Sequence, residues 1–342
     1  MYVCLMLTSD PPSVSVLLPF RNAGDRLADA IRSILNQTFT AFELLLVDNA
    51  STDKSPDIAH HLARQDSRIS LLKEDIVGIV PALNTGLVYT KAPYIARMDA
   101  DDIAYPERLA RQLQYLQNHP DVGLVASQVD FEGPPQARGL YAYVEWSNQL
   151  ISHEQLALNR FVDAPLIHPS AMFRKQLADE YGGYREGDFP EDFELWLRWM
   201  EVGVRFAKIG SPLLRWQDHP HRLTRRNERY RPEAFYRIKA LYLNRWLRTH
   251  NPFYPEVVVW GAGRKSRQRA ALLEAEGSRI KAYIDIKAHK TSTRPCIHFQ
   301  DIALPGSYFI VSYVANRGQR EKVRAFLLSK GYVEGKHFLL AA

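Results

Sequence analysis

Short apolar runs that stop at polar clusters alternate along the first hundred residues with segments whose apolar positions recur every three or four. Residues 14–19, 42–47, 69–72 and 94–98 are of the first kind and predict buried strands. Between them, Leu27, Ala30, Ile31, Ile34 and Leu35 recur at helical spacing, Pro56 opens a helix over 56–64, and Gly78 to Gly86 begins another; proline suits a first helical turn. This alternation predicts an α/β fold, an open and mostly parallel sheet with helices on both faces. Such sheets bind ligands in the crevice outside the carboxyl ends of their strands, and Asn22, Asp48 and Asp101 all fall at such ends.

The most charged of these ends is Asp99-Ala100-Asp101-Asp102, directly after the apolar run 94–98. Three carboxylates at a buried strand end call for a partner. A hard divalent cation held by aspartate keeps sites open for phosphate oxygens, so the Asp-x-Asp pattern points to a metal-diphosphate site with Asp101 as anchor. The same residues also read as a polar lead-in to a helix at Pro106-Glu107, and Asp48 also reads as an Asx-turn residue. Farther along, residues 191–200 read as a helix with Leu195, Trp196 and Trp199 available for packing. Its first turn carries Glu191 and Asp192, which either complement the helix dipole or act as acid-base groups. His168, in Ile167-His168-Pro169-Ser170, lines an acceptor pocket or serves as a structural hydrogen bonder. His219 reaches a metal or diphosphate, or belongs to the polar turn Asp218-His219-Pro220-His221.

The last ninety residues carry a second βαβ pattern. After a linker at 251–255, a strand at 257–260 runs into Gly261-Ala262-Gly263, a helix over 267–276 ends at Gly277, and a strand at 280–284 ends at Asp285. A strand over 308–312 and a helix over 317–330 continue it. This predicts a small Rossmann-like domain. Ser266 stands at the third glycine of the dinucleotide fingerprint, where it crowds helix against strand, so the domain is expected to need no NAD(H) or NADP(H).

A length of 342 residues suits two domains, here 1–250 and 255–342. A net charge of +6 and a pI near 9.2 imply an acidic partner. Basic residues gather at 222–250, interleaved with Tyr230, Phe235, Tyr236, Tyr242 and Trp246. That segment fits an anionic membrane face, a phosphorylated lipid or nucleic acid, or a solvated helix whose rings pack on the domain beneath. No run reaches the eighteen apolar residues or so of a membrane span, and residues 1–7 are too short and uncharged for a signal peptide. Cys4 and Cys296 form neither a disulfide framework nor a metal-ligand spacing. The expected location is cytoplasmic, or peripheral at the inner face of the membrane.

In order along the chain, Val16-Leu17-Leu18-Pro19-Phe20-Arg21-Asn22, Gln37-Thr38-Phe39, Val47-Asp48-Asn49-Ala50-Ser51-Thr52-Asp53, Asp99-Ala100-Asp101-Asp102, His168-Pro169-Ser170, Gly182-Gly183-Tyr184 and Glu191-Asp192-Phe193-Glu194 resemble the family 2 inverting glycosyltransferases of GT-A fold. The resemblance covers about the first 220 residues. It implies a nucleotide-sugar donor bound by Pro19, Phe20, Asn22, Asp48, Asn49 and Asp99, with Asp48 at the nucleoside and Asp99 at the ribose. It further implies Mg²⁺ or Mn²⁺ at Asp101 with His219, Asp192 as catalytic base, and Glu191 and His168 on the acceptor side. The acceptor would be a saccharide or a lipid-linked saccharide in surface polysaccharide assembly. One position departs: Asn49 stands where many relatives carry aspartate, so no donor base is assigned. A nucleotidyltransferase of related fold would show a glycine-rich basic loop after the first strand, which Pro19-Phe20-Arg21-Asn22-Ala23-Gly24 is not. A non-enzymatic protein binding nucleic acid or membrane would leave the ordered aspartates without a purpose, and nucleic acid is not an expected partner.

Overall fold

The computed structural model describes residues 11–220, 222–287 and 294–342. Contacts gather the chain into two compact units, divided otherwise than at residue 250.

The first unit comprises residues up to Ser152, Leu166–Glu186 and Val204–Arg222. Its sheet contains β1 (Val14–Phe20), β2 (Phe42–Asp48), β3 (Ile69–Lys73), β4 (Tyr94–Arg97), β5 (Ile103–Ala104), β6 (Val122–Glu132), β7 (Met172–Arg174) and β8 (Arg205–Gln217). The order is β3-β2-β1-β4-β7-β6-β8-β5. The first four run parallel, whereas β7 is antiparallel to both β4 and β6. Every residue of β1 is buried, as expected for a strand covered on both faces. The helix Arg26–Leu35 turns Leu27, Ala30, Ile31 and Ile34 inward. The helix Ile79–Tyr89 lies so close to the sheet that a Cβ at Gly86 would sit 2.0 Å from Leu17 Cδ1.

Register aligns the carboxyl ends that matter. Phe20 at the end of β1 pairs with Asp48 at the end of β2, and Leu17 pairs with Arg97 at the end of β4. Immediately after Asp102, β5 pairs antiparallel with the far part of β8, Ile103 opposite Arg215. That short pairing brings the segment after β8 back to the acid cluster.

The second unit comprises His153–Pro165, Gly187–Gly203 and Leu223–Ala342. Its sheet, β9 (Glu256–Trp260), β10 (Arg279–Asp285), β11 (Cys296–His298), β12 (Ile310–Ser312) and β13 (Phe338–Leu340), is parallel throughout in the order β11-β10-β9-β12-β13. This is the Rossmann-like arrangement expected. Its core also takes Phe161, Phe193 and Leu197, with Ile238, Tyr242, Leu243 and Leu247 of the helix Pro232–His250. The rings of the basic segment therefore point inward. Phe235 packs on Phe193, Trp246 on Phe161 and Phe309, and the Tyr242 hydroxyl donates to Glu194 at 2.7 Å. Several of its cations are likewise engaged inside the unit: Lys239 is buried and donates to the Val162 carbonyl, and Arg245 pairs with Glu201.

Candidate active site

Three carboxylates converge after β4. One oxygen from each of Asp99, Asp101 and Asp102 lies within 4.8 Å of the other two. Each is held from a different side. The Arg97 guanidinium, at a side chain only 3% exposed, lies 2.5 Å from Asp99 Oδ1, and Arg222 approaches Asp99 Oδ2 at 3.8 Å. His219 Nε2 lies 2.7 Å from Asp101 Oδ2. Asp102 is fully buried and its Oδ1 accepts the Gln217 main-chain N–H at 2.9 Å.

Electrostatics separates Asp101 from Asp102. Burial pushes the Asp101 carboxyl up, but the His219 hydrogen bond and the charges of Arg222, His219 and Arg97 outweigh it and hold that carboxyl below its ordinary range. Burial, with the Asp101 and Asp99 charges, pushes Asp102 well above its ordinary range. Its Oδ2 has no hydrogen-bond partner among the described residues, and a buried carboxylate oxygen without a donor costs free energy. A hard cation would complete that oxygen. The donor set, with Asp101 as anchor and Asp102 behind it, fits Mg²⁺ or Mn²⁺.

Behind the cluster stands a second buried cation that sequence reasoning missed. Arg108 donates to the Arg97 carbonyl at 2.6 Å and to Gln112 Oε1 at 3.0 Å, and burial lowers its pKa to about 9. Gln112 in turn donates to the carbonyls of Val125 and Ser170. Two arginines beside an aspartate triplet, Arg97 inside an otherwise apolar run, were the available signal. Arg222 stacks over Trp216 at 4.3 Å and donates to the Gln217 carbonyl.

At the ends of β1 and β2 the predicted donor residues are knitted to one another. Asn22 adopts a positive φ of 51° and its Oδ1 accepts the Thr52 N–H at 2.8 Å. Asp48 Oδ1 accepts the Ser51 N–H, three residues on, at 3.0 Å, which ties the loop after β2 to the strand end. Pro19 and Phe20 are buried in β1, and the Phe20 carbonyl accepts the Asn49 N–H. Asn49 is buried, with its side-chain amide bonded to main chain of the segment that follows β3.

His168 lies in a 3₁₀ turn, His168–Ser170, its Nε2 2.7 Å from the Tyr184 hydroxyl. Burial, and then Arg97, push its pKa well below the ordinary imidazole value, so it is a neutral hydrogen bonder.

In the second unit, the helix Glu191–Glu201 opens with the acidic pair. Glu191 is buried and accepts the Tyr230 hydroxyl at 2.8 Å, with Arg229 3.7 Å away. Asp192 is partly buried and its Oδ1 accepts the Phe193 N–H at 2.7 Å. The Glu191–Tyr230 pairing joins residues 39 apart and has no local signature in the chain. In the Gly261-Ala262-Gly263 turn, the Ala262 N–H donates to Asp285 Oδ2 at 2.7 Å. Asp285, at the end of β10, is thus bonded to the loop itself.

The larger sheet has the arrangement of the GT-A fold. Residues 1–349 of S. aureus TarS in complex with UDP-GlcNAc share the fold at a TM-score of 0.55 and 16% identity, over 77% of this chain and 71% of that one. The chain belongs to glycosyl transferase family 2, whose model matches residues 15–182. It is 30% identical over 227 residues to the putative glycosyltransferase EpsE of Bacillus subtilis (strain 168), across 64% of this chain and 78% of that protein. It is 28% identical over 207 residues to the amylovoran biosynthesis glycosyltransferase AmsE of Erwinia amylovora, across 59% and 74%. Among the described residues, no helix is long and apolar enough to cross a membrane.

Proposed function

We propose that this glycosyltransferase moves a sugar from a nucleotide-sugar donor, with inversion and with a divalent cation, to a saccharide or lipid-linked saccharide during surface polysaccharide assembly. The observation that carries the cation is the unpartnered, buried Asp102 Oδ2 beside Asp101 and Asp99. The UDP-GlcNAc complex of TarS supports the donor class, and the amylovoran relative supports the pathway class.

Asp101 and Asp102 would hold the ion, which as a Lewis acid stabilises the departing diphosphate. His219 and Arg222 balance the carboxylates and keep them oriented. Asp48 would face the donor nucleoside and Asp99 its ribose. Asp192 is assigned as the base that takes the acceptor hydroxyl proton, leaving the oxygen free to attack opposite the leaving group. Support comes from its partial exposure at a helix N-terminus, where the carboxylate is favoured by the dipole. His168, neutral and bonded to Tyr184, keeps a supporting place on the acceptor side. Membrane contact would fall to Arg237 and Arg248, which stay exposed on the helix Pro232–His250.

The test is Asp101→Asn, assayed by titration calorimetry with UDP and Mn²⁺. The expected result is loss of the Mn²⁺-dependent part of UDP affinity with an unchanged far-UV spectrum. Undiminished Mn²⁺-dependent affinity would refute the assignment.

A further inference from the structure

Asn49 directly follows the end of β2 and is 4% exposed. All of its amide chemistry is committed. Both Nδ2 hydrogens are given away, to the Glu74 carbonyl at 3.1 Å and to the Ile76 carbonyl at 2.7 Å. Its Oδ1 accepts the Gly78 N–H at 2.8 Å. An amide has two donors and one carbonyl oxygen, so no hydrogen remains for a ligand.

The three bonds close a loop, residues 74–78, against the end of β2. A second set holds the same loop from its other side. The Glu74 N–H donates to the Asp48 carbonyl, the Glu74 carboxylate accepts the Ile76 N–H at 2.7 Å, and the Thr85 hydroxyl donates to that carboxylate. At the tip, Ile76 and Val77 stand 69% and 53% exposed on a main chain pinned at both flanks. Ordering a loop of this kind costs conformational entropy, and here Asn49 offsets part of that cost.

We infer that Asn49 is a positioning residue: it fixes the 74–78 loop beside Asp48, so that the apolar tip is preformed for the donor nucleoside, and it does not itself read the edge of the base. This rests on the donor reading proposed above. Aspartate at position 49 would set a carboxylate against two carbonyl oxygens and lose both donated bonds. The amide is therefore the residue that this loop conformation requires, whichever base the enzyme takes.

The decisive variant is Asn49→Asp, with Thr85→Val as a second that loosens the loop without touching residue 49. Amide hydrogen exchange of residues 76–78 is measured without ligand, and UDP and GDP affinities are measured by calorimetry with Mn²⁺. Asn49→Asp should speed exchange at 76–78 by about tenfold or more and weaken UDP and GDP by the same factor, so that their ratio is unchanged. Thr85→Val should shift exchange and both affinities in the same directions by a smaller factor. A changed UDP to GDP ratio with exchange at 76–78 unaltered would overturn the inference, because it would mean residue 49 touches the base. Exchange is read without ligand, so a parent enzyme that bound neither nucleotide would count against the donor reading while the clamp itself was still decided.

Discussion

Lys208 allows the packing of the first unit to be tested through pH. It lies on β8, paired in register with Ala126, and is buried at 2% exposure. Its ammonium donates to the Ser147 carbonyl and, at 3.0 Å, to Ser147 Oγ, tying the end of the helix Arg138–Asn148 to the sheet. Burial lowers its pKa from 10.5 to about 7. A base with a depressed pKa binds fewer protons folded than unfolded between those values, so stability rises with pH across that window and the penalty is constant below it. At about 1.4 kcal/mol per pH unit of difference, the shift costs at most about 5 kcal/mol, reached below pH 7. Most of that is recovered by pH 10. Lys208→Met removes the titration at the cost of the bonds to Ser147. Urea unfolding of parent and variant from pH 6 to 10 should show the parent gaining stability relative to the variant as pH rises, by roughly 2–4 kcal/mol over the range. Parallel profiles within about 0.5 kcal/mol, the scale of independent surface changes, would refute the reasoning.

Asp192→Asn should lower turnover by about 10² or more while UDP affinity stays within about twofold; turnover within a few-fold of the parent would move the proton to another group. For the second unit, NADH fluorescence with the full chain should show no saturable binding at micromolar concentrations, because Asp285 already occupies the Ala262 N–H. Saturable binding lost in Gly263→Val would reverse that conclusion, and the variant is a fair control because a Cβ at Gly263 meets nothing within 4 Å.

In the first unit β1, β2 and β4 were legible because a continuous apolar run ending in polar residues marks both the strand and its carboxyl end; β3 was legible from the same pattern, although only its Ile69 is buried. The short β5 and β7 carry two and three residues, too few to show a period. Yet β5 is what returns β8 to the acid cluster, so the His219–Asp101 contact followed from chemistry rather than from any readable topology. Asn49 was read as a donor contact from resemblance, and its partners lie 25 to 29 residues away, beyond local pattern. The boundary expected near 250 followed a proline-rich stretch, whereas the core beneath the helix Pro232–His250 also takes Phe161 and Phe193 from far upstream.

The second unit is sewn from three separated stretches, and this sets a timetable for its assembly. Phe193 and Leu197, on the helix that bears Asp192, belong to one apolar core with residues of 238–247 and of the strands β9, β10, β12 and β13. During synthesis that helix leaves the ribosome long before β13 exists. At roughly 5–20 residues per second the wait is on the order of 10 s. Over that interval the shared core is incomplete, and apolar surface left open in this way favours aggregation. A stop codon before β13 would therefore harm more than a distant sheet, because it would remove part of the core to which the helix that presents Asp192 belongs.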